Sequence, residues 1–241
     1  MRKMPFFPFL LLRRLLAGLS LALLATAGTA KTPAVTDDMA QRMQACVVCH
    51  GKEGRATNQG YFPRIAGKPA GYLYEQLVNF REGRRSNATM AYLVDHMSDA
   101  YLREIADYFA GLDLPYPPPQ TTGAPAAMLA RGEQLVRHGD PQRDIPACAQ
   151  CHGAAMTGVN PGMPGLLGLP RDYLLAQFGA WRTGQRRAVA PDCMGGIARS
   201  LTPQDVTAAA TWLSSQPVGA GPAPAGALPA KLPLACGSGA K

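Results

Sequence analysis

Two pentapeptides of one pattern constrain this chain more than any other feature: Cys46-Val47-Val48-Cys49-His50 and Cys148-Ala149-Gln150-Cys151-His152. Cys-x-x-Cys-His is the attachment pattern of a covalent c-type haem. Two intervening residues let both sulfurs form thioether bonds to the vinyl groups of one macrocycle, and the next residue sets an imidazole under the iron. A lone Cys-x-x-Cys also fits a redox dithiol or half of a zinc site. Two copies, each followed by Gly and each inside a longer repeat, favour haem and imply two covalently bound haem c groups. Four of the six cysteines are thereby used, leaving Cys193 and Cys236 as an even pair.

The stretch after each pentapeptide repeats. Pro63-Arg64-Ile65-Ala66-Gly67 matches Pro164-Gly165-Leu166-Leu167-Gly168. Tyr72-Leu73-Tyr74-Glu75-Gln76-Leu77 matches Tyr173-Leu174-Leu175-Ala176-Gln177-Phe178. Phe80-Arg81-Glu82-Gly83-Arg84-Arg85 matches Trp181-Arg182-Thr183-Gly184-Gln185-Arg186. The offset is 101 here, 102 at the cysteines and 104 at the last helix, where Tyr108 pairs with Trp212. Two similar domains with one haem each follow, over residues 31–112 and 125–216. A Pro-rich linker (113–124) joins them, and a Pro- and Ala-rich tail (217–241) should lie extended on the surface.

The periodicity is helical, and no useful alternating run suggests a strand. Tyr72, Leu73, Gln76, Leu77 and Phe80 share a face, as do Leu102, Ile105, Ala106 and Phe109 in a helix from about Ser98 to Gly111. Thr202 as N-cap, Pro203 at N1 and Asp205 at N3 open the last helix. Val206, Ala209, Ala210 and Leu213 form its buried stripe. A helix from about Pro125 to Val136 begins the second domain. The expected fold is all-α, two tandem helical domains each built around one haem. Domains this small have small cores, so Tyr72, Phe80, Tyr173 and Trp181 are expected to be packing residues.

Arg2, Lys3, Arg13 and Arg14 precede an uncharged run from Leu15 to Ala30 that ends in small residues, the order of a secretory signal over residues 1–30. An uncleaved anchor is the alternative, because Phe6 to Leu12 extends the apolar segment. Export would put the protein in the periplasm, soluble or peripherally attached to the membrane. The formal charge of +8 falls to 20 basic against 16 acidic side chains without the leader, and four haem propionates would cancel that excess. The charge therefore implies no nucleic-acid partner.

A low-spin electron carrier needs a second axial ligand, usually Met or His. Met90, His96 and Met97 all lie downstream of the first pentapeptide. With the last helices aligned, Met97 pairs with Leu201, His96 with Ser200, and Met90 with Met194, in irregular segments before the final helix. Met90 and Met194 are the expected sixth ligands beside His50 and His152. Met156 and Met163 lack matching methionines and read as packing or loop residues. His138, in a Gly-Asp-Pro loop, reads as exposed. A disulfide between Cys193 and Cys236 would pin the tail beside Met194.

This constellation resembles class I cytochromes c, and the two-domain layout is similar to the dihaem cytochrome c4 family over residues 37–216. The resemblance implies His/Met-ligated haems meeting near an interface between the domains. It also implies that Pro63 and Pro164 offer carbonyls to the second nitrogen of each histidine. Arg84-Arg85 and Arg186-Arg187 are read as holding propionates, facing partners, or forming a solvated basic edge. The expected function is electron transfer between a respiratory dehydrogenase or quinol-oxidising complex and a terminal oxidase or reductase. The rivals are the cytochrome subunit of a periplasmic dehydrogenase and a dihaem peroxidase. A Met at both matched positions argues against the peroxidase, which needs one displaceable site.

Overall fold

The computed structural model describes residues 37–56, 60–219, 223–228 and 230–238, so the leader expected over residues 1–30 lies outside it. From Asp38 onward the described residues form one compact unit. Its first half contains helices α1 (Met39–Arg42), α2 (Gln44–His50), α3 (Ala70–Arg81), α4 (Ala88–Val94) and α5 (Asp99–Ala110). Its second half contains α6 (Ala126–Arg137), α7 (Cys148–His152), α8 (Arg171–Arg182), α9 (Cys193–Ser200) and α10 (Pro203–Ser215).

Local signals place the long helices. Ser98 and Thr202 accept the Tyr101 and Asp205 amides as N-caps, each satisfying one donor orphaned by the helix start. Asp205 reciprocates by accepting the Thr202 amide, which completes a capping box with Pro203 in the first turn. The expected stripe of α5 is buried in one cluster with Leu73, Val78 and Phe80 of α3. Ala209, Ala210 and Leu213 of α10 are buried with Val136 of α6 and Leu174 of α8, while Val206 packs with Leu135, Phe178 and Ala198.

The structure corrects the expectation in three places. Two short strands, β1 (Gly158–Val159) and β2 (Met163–Pro164), pair antiparallel with Gly158 opposite Pro164. Two residues per strand are too few to show an alternating pattern. Met90 and Met194 sit in short helices, α4 and α9, not in irregular segments. Arg85 and Arg186 are not on a solvated edge; Arg186 is buried, and both arginines lie between the halves.

The linker has no regular structure but is fastened at its start. Arg64, among the most fully buried side chains, donates to the carbonyls of Leu114 (2.6 Å) and Pro115 (2.9 Å) and lies over the Tyr116 ring at 4.1 Å. The tail runs along the second half: the Ala225 amide donates to Gly158 O and its carbonyl accepts from Asn160. Near its end, Cys236 meets Cys193 with Cα atoms 5.3 Å apart.

A charged cluster ties α10 to α6. Asp205, buried, accepts from Arg131 Nε (2.8 Å) and Arg143 Nη2 (2.6 Å), and the same two arginines also hold Asp140. Burial alone would raise the Asp205 pKa, but the bonds from Arg143, Arg131 and Thr202 outweigh it and hold the carboxyl well below the usual carboxylate range. A carboxylate with a depressed folded pKa stabilises the native state above its unfolded pKa, near 4, and loses that contribution as pH falls toward the folded value. Asp205→Asn should therefore cost about 3 kcal/mol at neutral pH, as expected for breaking a buried charge network. Denaturant melts of variant and native protein should converge as the pH falls from about 5 toward 2.

Candidate haem-binding sites

Each pentapeptide forms a short helix ending at its histidine. Cys46 and Cys49 lie three residues apart in α2, and Cys148 and Cys151 likewise in α7, so each pair presents two sulfurs on one helical face. The following glycines, Gly51 (φ +78°) and Gly153 (φ +81°), turn the chain immediately after the imidazole. At Gly51 a Cβ would lie 2.2 Å from the Ala56 carbonyl oxygen, which explains the Gly after His50.

His50 and His152 are buried, and their Nδ1 atoms lie 2.9 Å from Pro63 O and 2.7 Å from Pro164 O. A carbonyl only accepts, so each Nδ1 carries the proton and donates, which leaves each Nε2 lone pair free to bind a metal. Burial lowers both imidazole pKa values, the bond to the proline carbonyl works the other way, and nearby cations lower them further: Arg85 at His50, Lys68 and Arg186 at His152. Both histidines are thus held neutral, as iron ligation requires.

The thiols behave unlike those of a redox dithiol. Burial pushes Cys46 and Cys151 up and Cys148 up to about 11, whereas redox-active Cys-x-x-Cys pairs have a depressed pKa. Among the described residues no three His, Cys, Asp or Glu side chains converge to hold a bare metal ion.

Met90 and Met194 each lie in the first turn of a short capped helix. Asn87 caps α4 by accepting the Met90 amide, and Asp192 caps α9 by accepting the amide of Gly195, next to Met194. Behind these helices, Arg81 donates to Met97 O and Arg182 to Leu201 O, each at 2.9 Å. The matched arginines brace matched turns. Cys46 and Met90 lie against one apolar cluster of the first half. Met97 packs partly buried against the same cluster, while His96 is almost fully exposed beside Asp95. Met156 and Met163 are buried in the second half, and His138 is exposed at the end of α6.

The interface between the halves holds what the sequence did not reveal. Arg85 donates to Gln76, Tyr173 and Gln177, and Arg186 donates to Gln177, Tyr72 and Gln76. The two sets are related by the sequence repeat. Each guanidinium also covers an aromatic ring: Arg85 over Phe80 at 4.6 Å, Arg186 over Trp181 at 4.0 Å. Backbone bonds from Ser86 to Gln185 O and from Arg187 to Arg84 O, each 2.7 Å, close the seam. At Gly71 a Cβ would lie 2.6 Å from Pro161 O, so α3 starts in direct contact with the second half. Burial would raise the Tyr72 phenol, but Arg186, Arg85 and Lys68 outweigh it, so three cations converge there. Their hydrogen-bond acceptors are neutral: Gln, Tyr and a backbone carbonyl. Beside Arg186, Trp181 Nε1 is buried and has no acceptor among the described residues.

Buried cations and an orphaned donor call for an anion that the described residues do not supply. A haem, with two propionates per ring, fits that demand, just as the paired cysteines and the free imidazole nitrogen fit its periphery and its iron. This helical scaffold defines a cytochrome of the c type. No family model matches the chain. It is 36% identical over 211 residues, 87% of its length and 94% of the relative's, to a thiosulfate dehydrogenase electron acceptor of Thiomonas intermedia. It is 31% identical over 200 residues, 81% of its length and 96% of the relative's, to cytochrome c4 of Pseudomonas aeruginosa. A solved thiosulfate dehydrogenase (TsdBA) from Marichromatium purpuratum matches with TM-score 0.65 and 31% identity over 73% of this chain. The match covers 37% of that longer chain. The chain belongs to the cytochrome c4 family, whose cofactor is haem c, and it is an electron-transfer protein, not an enzyme.

Proposed function

We propose that the protein is a periplasmic dihaem carrier that accepts electrons one at a time from a dehydrogenase oxidising an inorganic sulfur compound and passes them to a terminal oxidase or reductase. The observation that carries the donor is the match along 94% of a thiosulfate dehydrogenase electron acceptor. In this reading residues 1–30 are an export signal, 31–112 and 125–216 are the two haem domains, 113–124 the linker and 217–241 the tail. Cys46 and Cys49 hold one haem, and Cys148 and Cys151 the other. His50 with Met90, and His152 with Met194, would hold the two irons, and Cys193 and Cys236 would form a disulfide.

When bound, each haem supplies a one-electron ferric/ferrous couple. The chain's own residues set its conditions. Pro63 and Pro164 hold the imidazoles in one tautomer and orientation. The capped helices α4 and α9, with Arg81 and Arg182 bonded to the turns behind them, would hold the methionines in place and limit rearrangement between redox states. Arg85, Arg186 and the Trp181 N–H would receive propionates where the halves meet. Met ligation and a buried setting favour the ferrous form and raise the potential.

Stopped-flow mixing of the oxidised holoprotein with a thiosulfate dehydrogenase tests the donor. Thiosulfate should drive rapid reduction of both haems, with negligible peroxide turnover by the carrier alone. No reduction by that enzyme, with chemical reductants still effective, would reject this donor. Among the described residues no helix is long and apolar enough to cross a membrane.

A further inference from the structure

We propose that Lys68, carried by the first half, is a positioning residue for the second half's redox site, raising that haem's potential across the interface. The inference rests on the two-haem reading above. Lys68 lies in the loop before α3 and is only 5% exposed. Its ammonium donates to Gly165 O in the second half, at 3.2 Å. Gly165 follows Pro164, whose carbonyl takes the His152 Nδ1–H at 2.7 Å. A lysine from one half is thus set against the loop that holds the other half's imidazole. No carboxylate pairs with Lys68 among the described residues, and the charged neighbour it faces, Arg64, is itself a cation. Burial pulls the ammonium down to about 8, so it still carries its charge at neutral pH.

The arrangement runs one way. By the repeat, Lys68 matches Leu169, a buried apolar residue that packs within its own half. Gly165 in turn matches Arg64, whose guanidinium is committed to the Leu114 and Pro115 carbonyls and to Tyr116. Arg85 and Arg186 act on their respective histidines as a symmetric pair, and Lys68 adds a further cation at His152. A fixed positive charge in a water-poor site opposes the extra positive charge of ferric iron more than it opposes ferrous iron. Its removal should lower the second haem's potential and leave the first where it is. The contribution also depends on the docked interface, where the Tyr72 amide donates to Pro161 O at 3.2 Å.

The test is a potentiometric titration of the full-length holoprotein carrying Lys68→Met, which keeps the length of the buried stem. The waves are assigned with Met194→His, which should move only the second. In Lys68→Met the equilibrium for sharing an electron between the two haems should shift about tenfold toward the first, equivalent to ~59 mV in the second wave alone. Lys68→Gln should shift it the same way, and Lys68→Arg should leave both waves near those of the native protein. Two unmoved waves in haem-loaded Met and Gln variants, or two waves that fall together, would overturn the proposal and leave Lys68 a packing residue. A native protein with the mass of a single haem would instead reject the two-haem reading, which the mass separates from a failure of Lys68 itself.

Discussion

Met194→Ala holoprotein should lose the weak sulfur-to-iron band of one haem in its ferric spectrum and keep that of the other. The altered haem should bind carbon monoxide readily, since no thioether has to leave. Its potential should fall by on the order of a quarter of the roughly 0.8 V span that axial ligation commands. Met90→Ala should do the same to the first haem. The expected independence follows from the placement of the two methionines in separate helices, each capped and braced by its own half. Retention of both sulfur bands in the Met90 variant would transfer the ligand role to Met97, which packs against the same cluster. Low-temperature ferric spectra with carbon monoxide titration of the ferrous protein decide between them.

Cys193→Ser should destabilise the second half by about 4 kcal/mol, the chain-entropy value for a closed loop of this size. The two cysteines are 43 residues apart in sequence. The effect should fall on the second half because the intervening tail is bonded there, at Thr157, Gly158 and Asn160. Cys193 is also the first residue of the helix that carries Met194, so the variant's second sulfur band should broaden or weaken on warming before the first changes. Thermal melts followed at that band, and a thiol titration of the unfolded, unreduced native holoprotein, check both statements. The titration should find no free thiol; two would reject the bridge.

The long helices were legible because their signals are local: Ser98 and Thr202 as caps, Pro203 in the first turn, and apolar stripes of full helical length. α4 and α9 were not, because seven or eight residues carry too little periodicity, although Asn87 and Asp192 are ordinary N-cap residues that announce them. The interface was harder to read. An arginine pair after a helix normally signals solvent, and nothing in a single half says otherwise. The available signal was the repetition of Tyr72, Gln76 and Arg85 as Tyr173, Gln177 and Arg186 at one offset, polar groups on two helices and just beyond the end of each, where packing alone would favour apolar side chains. Tyr72 and Tyr173, expected as packing residues, are partners of the opposite half's arginine. Trp181 is packed as expected, yet its N–H has no acceptor among the described residues, which no sequence pattern signals.

The most direct test of two covalent haems in one electron carrier is the mass of the mature holoprotein measured under denaturing conditions. The expected mass is that of the polypeptide without its leader plus two haem groups, since thioether bonds survive unfolding. A protein carrying one haem, none, or zinc in place of porphyrin would contradict the account.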